Sequence, residues 1–175
     1  VVNGDGNITG LSVGGLPSSV ITSTNIVDAT IAQGDLATNV VGNGPAFFAS
    51  RSTDQSITQN AYTRINFDSE SFDTNSNYDN ATNYRFTPTV AGYYLFFASL
   101  LNNPAGPGQY VTAIRKNGGN VQPVGNLVNG NAVGGGTTVP CTLLFYANGS
   151  TDYFDVVGYA STASPTVQEI GRAHV

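Results

Sequence analysis

Few residues in this chain are of a kind that can move a proton, attack a carbonyl or hold a metal. The single histidine, His174, is the penultimate residue, so a Ser-His-Asp, Cys-His or histidine–metal site would depend on a frayed tail. The single cysteine, Cys141, lies in the strand-like run Thr138-Val139-Pro140-Cys141-Thr142-Leu143-Leu144 and reads as a buried, inert thiol. One cysteine excludes an intrachain disulfide and a thiolate zinc site. Asp68 and Glu70 share one face of an extended segment with Asp73 close by, the spacing of paired acids, but the Ser, Asn and Thr around them mark a solvated loop. The run Asp73-Thr74-Asn75-Ser76-Asn77-Tyr78-Asp79 is rich in oxygen ligands, which makes Asp73 and Asp79 calcium candidates. It lacks the mid-loop glycine and closing glutamate of an EF-hand. Asp152 and Asp155, just past the Asn148-Gly149 turn, are the other calcium candidates, against a default of plain exposed acids. No other cofactor is expected. The glycines of Val133-Gly134-Gly135-Gly136-Thr137 follow no phosphate-loop pattern. Asn7, Asn80 and Asn148 head glycosylation sequons that only a eukaryotic secretory pathway would use. No nucleophile stands with a base, and the chain reads as a non-enzyme.

Composition agrees with that reading. Of 175 residues, 40% are hydrophobic, 10% aromatic and 10% charged, against roughly 25% charged in an ordinary domain. The aromatics are numerous enough for a packed core, so the low charge does not signal disorder. Six basic residues against eleven acidic ones give a net charge of −5, which excludes a nucleic-acid surface. The longest apolar stretch, Ala91 to Leu101, falls short of the ~18 residues of a membrane span.

Two textures divide the chain. Residues 1–44 contain no aromatic residue, and Leu11, Leu16, Ile21, Ile26, Ile31, Leu36 and Val41 recur there every five positions. Period five matches neither a helix nor a free strand. It resembles a pentapeptide-type repeat and the stalk repeats of bacterial surface proteins and phage fibres. Seven repeats make fewer than two coils of a solenoid, so a β-rich or extended stalk shared between chains is the more economical reading. Residues 45–168 carry short β segments between turn signals, with no helical periodicity, which predicts an all-β two-sheet sandwich or jelly roll. Asn117-Gly118 and Asn148-Gly149 both read as two-residue hairpin turns, the second joining Thr137–Tyr146 to Asp152–Tyr159.

One strand says more than the rest. Tyr93-Tyr94-Leu95-Phe96-Phe97 is apolar at every position, so both of its faces need cover. The opposite sheet covers one face, and no helix exists to cover the other. The simplest cover is another copy of the chain.

Phe67, Asp73 and Tyr78, followed by Phe86, Gly92, Tyr94 and Phe96, resemble the core signature of the complement component 1q globular head, within the tumour-necrosis-factor-like superfamily. Two departures stand out: one extra residue between Tyr78 and Phe86, and Ala98 where the pattern has Phe or Tyr. Ile114-Arg115-Lys116-Asn117-Gly118 resembles the family strand ending in Lys-Asn-Gly. The resemblance covers about residues 45–168. It implies a jelly roll of about ten strands that associates as a homotrimer, with Tyr94 and Phe96 near the threefold axis. It also implies a closing strand with a Phe-x-Gly pattern, which is missing here. The five-residue stalk and the phrase Asn148-Gly149-Ser150-Thr151-Asp152-Tyr153 look most like prokaryotic or phage versions.

The termini read as unnatural. Val1 opens without a methionine or leader, as in a fragment or processed product. Glu169 through Val175 back-translate as GAG ATC GGA AGA GCA CAC GTC, a short-read sequencing adapter, so residues 169–175 are expected to be an artefact that replaces the missing strand. The expected function is the trimeric head of a stalked surface or phage fibre, extracellular, at a cell surface or on a virion, binding a cell-surface glycan or protein receptor. The rival expectation is a structural subunit of an extracellular filament or a virion decoration protein, whose partners are neighbouring subunits.

Overall fold

The structure, a computed structural model, describes residues 44–103, 107–119, 125–130, 136–169 and 172–174, with residues 24, 26, 31 and 35 standing alone before them. The chain divides into two compact units, Val1–Gly42 and Asn43–Val175. Of the period-five ladder, Ile26 and Ile31 are described, and both are exposed. Leu11, Leu16, Ile21, Leu36 and Val41 lie outside the described residues, and the stalk reading of 1–44 lies there with them.

The second unit is all β. Its strands in chain order are β1 (Phe47–Ser50), β2 (Gln55–Ser56), β3 (Thr63–Arg64), β4 (Ser69–Asp73), β5 (Tyr78–Asp79), β6 (Arg85–Phe86) and β7 (Ala91–Asn103). Then follow β8 (Gly108–Lys116), β9 (Gly125–Gly130), β10 (Thr137–Asn148), β11 (Phe154–Ala160), β12 (Thr166–Val167) and β13 (Arg172–His174). Five of these are two-residue pairings, which is why the described strands outnumber the ten expected. Together they make a two-sheet jelly-roll sandwich.

In the first sheet β7 is central. β10 runs against one edge from Thr137 opposite Asn102 to Asn148 opposite Ala91. Along the other edge β12 pairs with Asn102–Asn103 and β13 with Phe97–Ser99. β13 leads on to β1, β1 to β4, and β12 to β2. In the second sheet β11 is central, with β8 on one side and β6 and β3 on the other; β9 extends from β8 and β5 from β6. β10 is an edge strand among the described pairings and carries Pro140, which has no backbone N–H to offer a further strand.

Three expectations are corrected. A closing strand is present: β13 fills the slot between β1 and β7, Arg172 standing opposite both Ser50 and Ser99. A β ladder is made by backbone groups, so an extended segment can take that slot without the Phe-x-Gly pattern. The Asn148-Gly149 turn is not a hairpin, because β10 belongs to the first sheet and β11 to the second. It is a corner between sheets. Asn148 Oδ1 accepts the N–H groups of Ser150, Thr151 and Asp152, and the Asp152 carboxylate accepts the Asn148 N–H, folding the chain across. Asn117-Gly118 is a tight turn, both residues left-handed and Gly119 N–H on the Lys116 carbonyl at 3.0 Å, but it is not the two-residue hairpin expected either, because β9 pairs with β8 only from Gly125 opposite Ala113.

The core lies between the sheets. Phe96 meets Phe154 at 4.5 Å between ring centroids, with Phe86 and Phe145 edge-on at 6.0 and 6.2 Å. Thr112 Oγ1 donates across the sandwich to the Val139 carbonyl at 2.7 Å. The sandwich has two ends. The near end gathers the starts of β1, β7 and β11, the close of β8 and β10, and both Asn-Gly turns. The far end gathers the close of β7 and β11 and the starts of β8 and β10, with the segments 55–62 and 161–167 beside them.

Two substitutions test this packing by chemical denaturation. Phe96→Ala is expected to cost about 3–5 kcal/mol, the range for losing a buried ring. Gly149 has φ +72°, and an added Cβ would lie 2.4 Å from the Ala91 nitrogen. Gly149→Ala is therefore expected to destabilise by more than about 1 kcal/mol, with the backbone at Val90–Ala91 displaced.

Candidate functional site

Strand geometry sends successive side chains of β7 to opposite faces. Tyr94, Phe96, Ala98 and Leu100 point into the sandwich; Tyr93, Leu95, Phe97 and Ser99 point away from it. β10 alternates in step, Leu144 standing opposite Leu95 and Tyr146 opposite Tyr93. The outer side of the first sheet therefore carries Tyr93 at 76% exposure, Leu144 at 62% and Leu95 at 60%, with Tyr146 also exposed. The Tyr93 and Tyr146 rings meet edge-on at 5.3 Å. Across the sheet the same face continues through Phe97, which is level with β13 and then with Phe48. Phe48 in turn stacks on exposed Phe72 at 6.4 Å. Toward the far end the face turns polar, with Ser99, Thr138 and Thr142. Apolar patches of this kind are uncommon on a lone soluble domain and mark interaction surfaces.

This placement shifts the residues singled out for the interface. Phe96 is 3% exposed and belongs to the core of one chain. Tyr94 is half-buried against that core, and its hydroxyl donates to the Val90 carbonyl at 2.8 Å. Burial raises its phenol pKa. Its outward neighbours Tyr93 and Leu95 are the exposed ones. Ser99 on β7 and Thr138 and Thr142 on β10 mark the outer side once the register between the two strands is known.

The remaining signature residues shape the near end. Phe67 and Phe86 are each 1% exposed, and Phe47 stacks on Tyr78 at 4.6 Å and on Phe86 at 4.8 Å. Tyr78 donates its hydroxyl to the Phe67 carbonyl at 3.0 Å, and burial pushes its phenol pKa up. Asp73 Oδ2 accepts the Tyr78 N–H at 2.6 Å, which closes the 73–78 turn. Gly92 has open space where a Cβ would go, so nothing within one chain demands glycine there.

The four calcium candidates are engaged separately. Asp73 also takes the Asn75 N–H. Asp79 caps the next turn, taking the N–H groups of Ala81, Thr82 and Asn83 and the Asn83 side-chain amide. Asp152 accepts from Asn117 and Asn148 and pairs with Lys116 at 2.7 Å. Asp155, almost wholly buried, is clamped between Arg115 and Arg64, the latter at 3.2 Å, so two cations already face it. Its hydrogen bond raises the Arg115 pKa further. Among the described residues no three of His, Cys, Asp and Glu gather into a metal-holding group. Cys141 is buried in the core, and Asp68 is held by Arg51 and Ser52.

No protein-family model matches this chain, and no curated protein matches it. Among solved structures, the crystal structure of murine APRIL at pH 5.0 is similar over 76% of this chain and 100% of that chain, at 9% identity and a TM-score of 0.49.

The turn-capping acids set the response to acid. Backbone donors at Thr82 and Ala81 and the Asn83 amide lower the Asp79 pKa from 3.8 to about 2. Burial pushes Asp68 up, but Ser52 and Arg51 outweigh it and hold the carboxyl low. Asp152 is lowered by Lys116 and Asn117. A depressed folded pKa gives stability that is present above the unfolded value and lost as pH falls through the folded one. The unfolding midpoint is therefore expected to fall between about pH 4 and pH 2. In thermal melts Asp79→Asn should flatten part of that slope.

Proposed function

We propose that this chain is the non-enzymatic head of a stalked fibre that assembles as a homotrimer through the outer face of the first sheet. The observation that carries the reading is that face: Tyr93, Leu95, Leu144 and Tyr146 are all exposed side by side on paired strands. Covering such side chains is favourable by roughly 25 cal/mol per Å² of apolar surface. The resemblance in the sequence supplies the number three. It also supplies the setting, an extracellular, cell-surface or virion location, with residues 1–44 as the stalk. In this reading the head binds a cell-surface glycan or protein, and three copies multiply a weak contact by avidity.

Light scattering coupled to size exclusion tests the assembly. The whole chain should run as a trimer at micromolar concentration; a monomer would sink the reading, and an open-ended polymer would favour the filament subunit. Leu95→Asp should give a folded monomer, because an unpaired charge at a closed interface costs several kcal/mol while the same charge on a lone chain stays in water. Phe96→Asp should instead unfold the head, and Ile26→Asp should leave its assembly intact.

A further inference from the structure

The second sheet has an outer side too, and it differs in kind from that of the first. Phe154, Val156 and Ala160 of β11 point into the core, so Asp155, Val157 and Tyr159 point outward. On β8 the outward residues are Val111, Ala113 and Arg115, and on β3 Arg64 stands opposite Val157. Val111, Ala113 and Val157 make a buried apolar cluster of their own, with Tyr159 packed against it. The Tyr62 ring, 36% exposed, lies 5.2 Å from the Tyr159 ring at 41°. Arg64 follows two residues on, a spacing of roughly 7 Å along an extended chain, and on the same side.

Positive charge gathers on this side. Elsewhere among the described residues Arg51 pairs with Asp68 and Lys116 with Asp152, one cation to one acid. Arg64 and Arg115 instead share Asp155, whose side chain is 1% exposed. Arg115 holds that carboxylate through Nε at 2.9 Å and through Nη2. Arg64 reaches it with Nε at 3.2 Å and donates from Nη1 to the Asn83 carbonyl at 3.0 Å. The Arg64 side chain is still 42% exposed, and its Nη2 meets no acceptor among the described residues. Arg85, two residues past Asn83, lies 4.3 Å over the Tyr153 ring. The acid opposite Arg85 is Asp79, which is engaged by the N–H groups of 81–83. Three guanidiniums thus face two carboxylates. Asp54 and Glu169 line a hollow beside Leu101 of the first sheet instead.

The tyrosine pair is held in place. The Tyr159 hydroxyl donates to Asn60 Oδ1 at 3.3 Å, and the Asn60 N–H donates to the Ala160 carbonyl at 2.9 Å. Gln59 Nε2 donates to the Ser161 carbonyl at 2.9 Å, so loop 57–62 is pinned to the close of β11. A surface ordered in advance binds without a further entropy cost.

We propose that the outer side of the second sheet binds a carboxylate-bearing saccharide, its ring packed on Tyr62 and Tyr159 and its carboxylate paired with Arg64. Tyrosine faces edged by hydroxyls suit a ring that is apolar on its faces and polar around its rim, a sugar's character rather than a peptide's. The guanidinium fork matches a carboxylate in the same plane. The whole chain carries −5, which repels a densely sulfated polymer, so this side suits one acidic group at a time. The inference deepens the head reading above and rests on it for the ligand being a surface glycan.

Saturation-transfer NMR on the full chain is the test. The probes are uronate- and sialate-bearing oligosaccharides, their neutral counterparts, a densely sulfated polysaccharide and a Glu-rich peptide, each at low and high salt. At least one carboxylate-bearing sugar should bind, more weakly as salt rises, with its neutral counterpart weaker by about tenfold or more. Arg64→Gln should bring the acidic sugar down to the neutral one's level, and Arg64→Lys should keep part of the difference. Tyr62→Ala should weaken both sugars, and Ser71→Ala, exposed on β4 of the other sheet, should change neither. Tyr62 lies on the surface, so its variant decides the matter even if loss of Arg64 lowers the melting midpoint. Four results overturn the inference: no carboxylate-bearing sugar binds, the neutral counterpart binds equally, the sulfated polymer or the peptide binds better, or binding survives both variants. Molar mass on the same samples separates the two ideas. A monomer that binds through Tyr62 and Arg64 keeps this site and sinks the trimer, and a trimer that binds no acidic sugar does the reverse.

Discussion

A strand that is apolar at consecutive positions must be coated twice, and this requirement at Tyr93–Phe97 organises the head. The inner coat comes from the second sheet, where Phe154 and Phe86 close on Phe96 and bind the two layers into one core. Among the described residues nothing coats the outer side, and β10 doubles its apolar width with Leu144 and Tyr146. The sandwich is therefore internally complete and externally unfinished. The same strand defines both conditions through alternate residues, Phe96 on the inner side and Leu95 on the outer.

Much of this was legible in the residues. Short β segments without helical periodicity predicted the sandwich, and the two-faced strand predicted a surface that one chain leaves uncovered. The face assignment was harder. Within Tyr93–Phe97 no polar residue marks the outside, so hydrophobicity alone cannot tell in from out. The answer lies beyond the run, at Ser99 and on the partner strand at Thr138 and Thr142, and needs the register between β7 and β10 that a linear reading does not contain. The Asn148-Gly149 turn was misread for a related reason. Asn-Gly fixes a local bend, whereas the destination of the following strand depends on Asp152 and on the crowding of Gly149 against Val90–Ala91.

The acids illustrate how residue type misleads when position is unknown. Runs such as Asp73 to Asp79 look like oxygen-rich cradles, yet each carboxylate is spent on backbone N–H groups of its own turn. In a head with few charges those caps do the work that helix termini or disulfides do elsewhere: they hold short, irregular connections in one shape. Asp155 plays the complementary part inside the second sheet, where two guanidiniums accept it in place of water. Electrostatics here serves geometry.

Pro140 bears on how far any association can run. Contact through the border of a sheet offers each newcomer the same unfilled border and so has no natural stopping number, which is the logic of fibrils. Contact through a sheet's broad side is consumed as it forms, and stops once that side is roofed over. In the trimer proposed above, the proline set into the outermost strand β10 disfavours contact through that border, and the apolar broad side is the contact that is consumed.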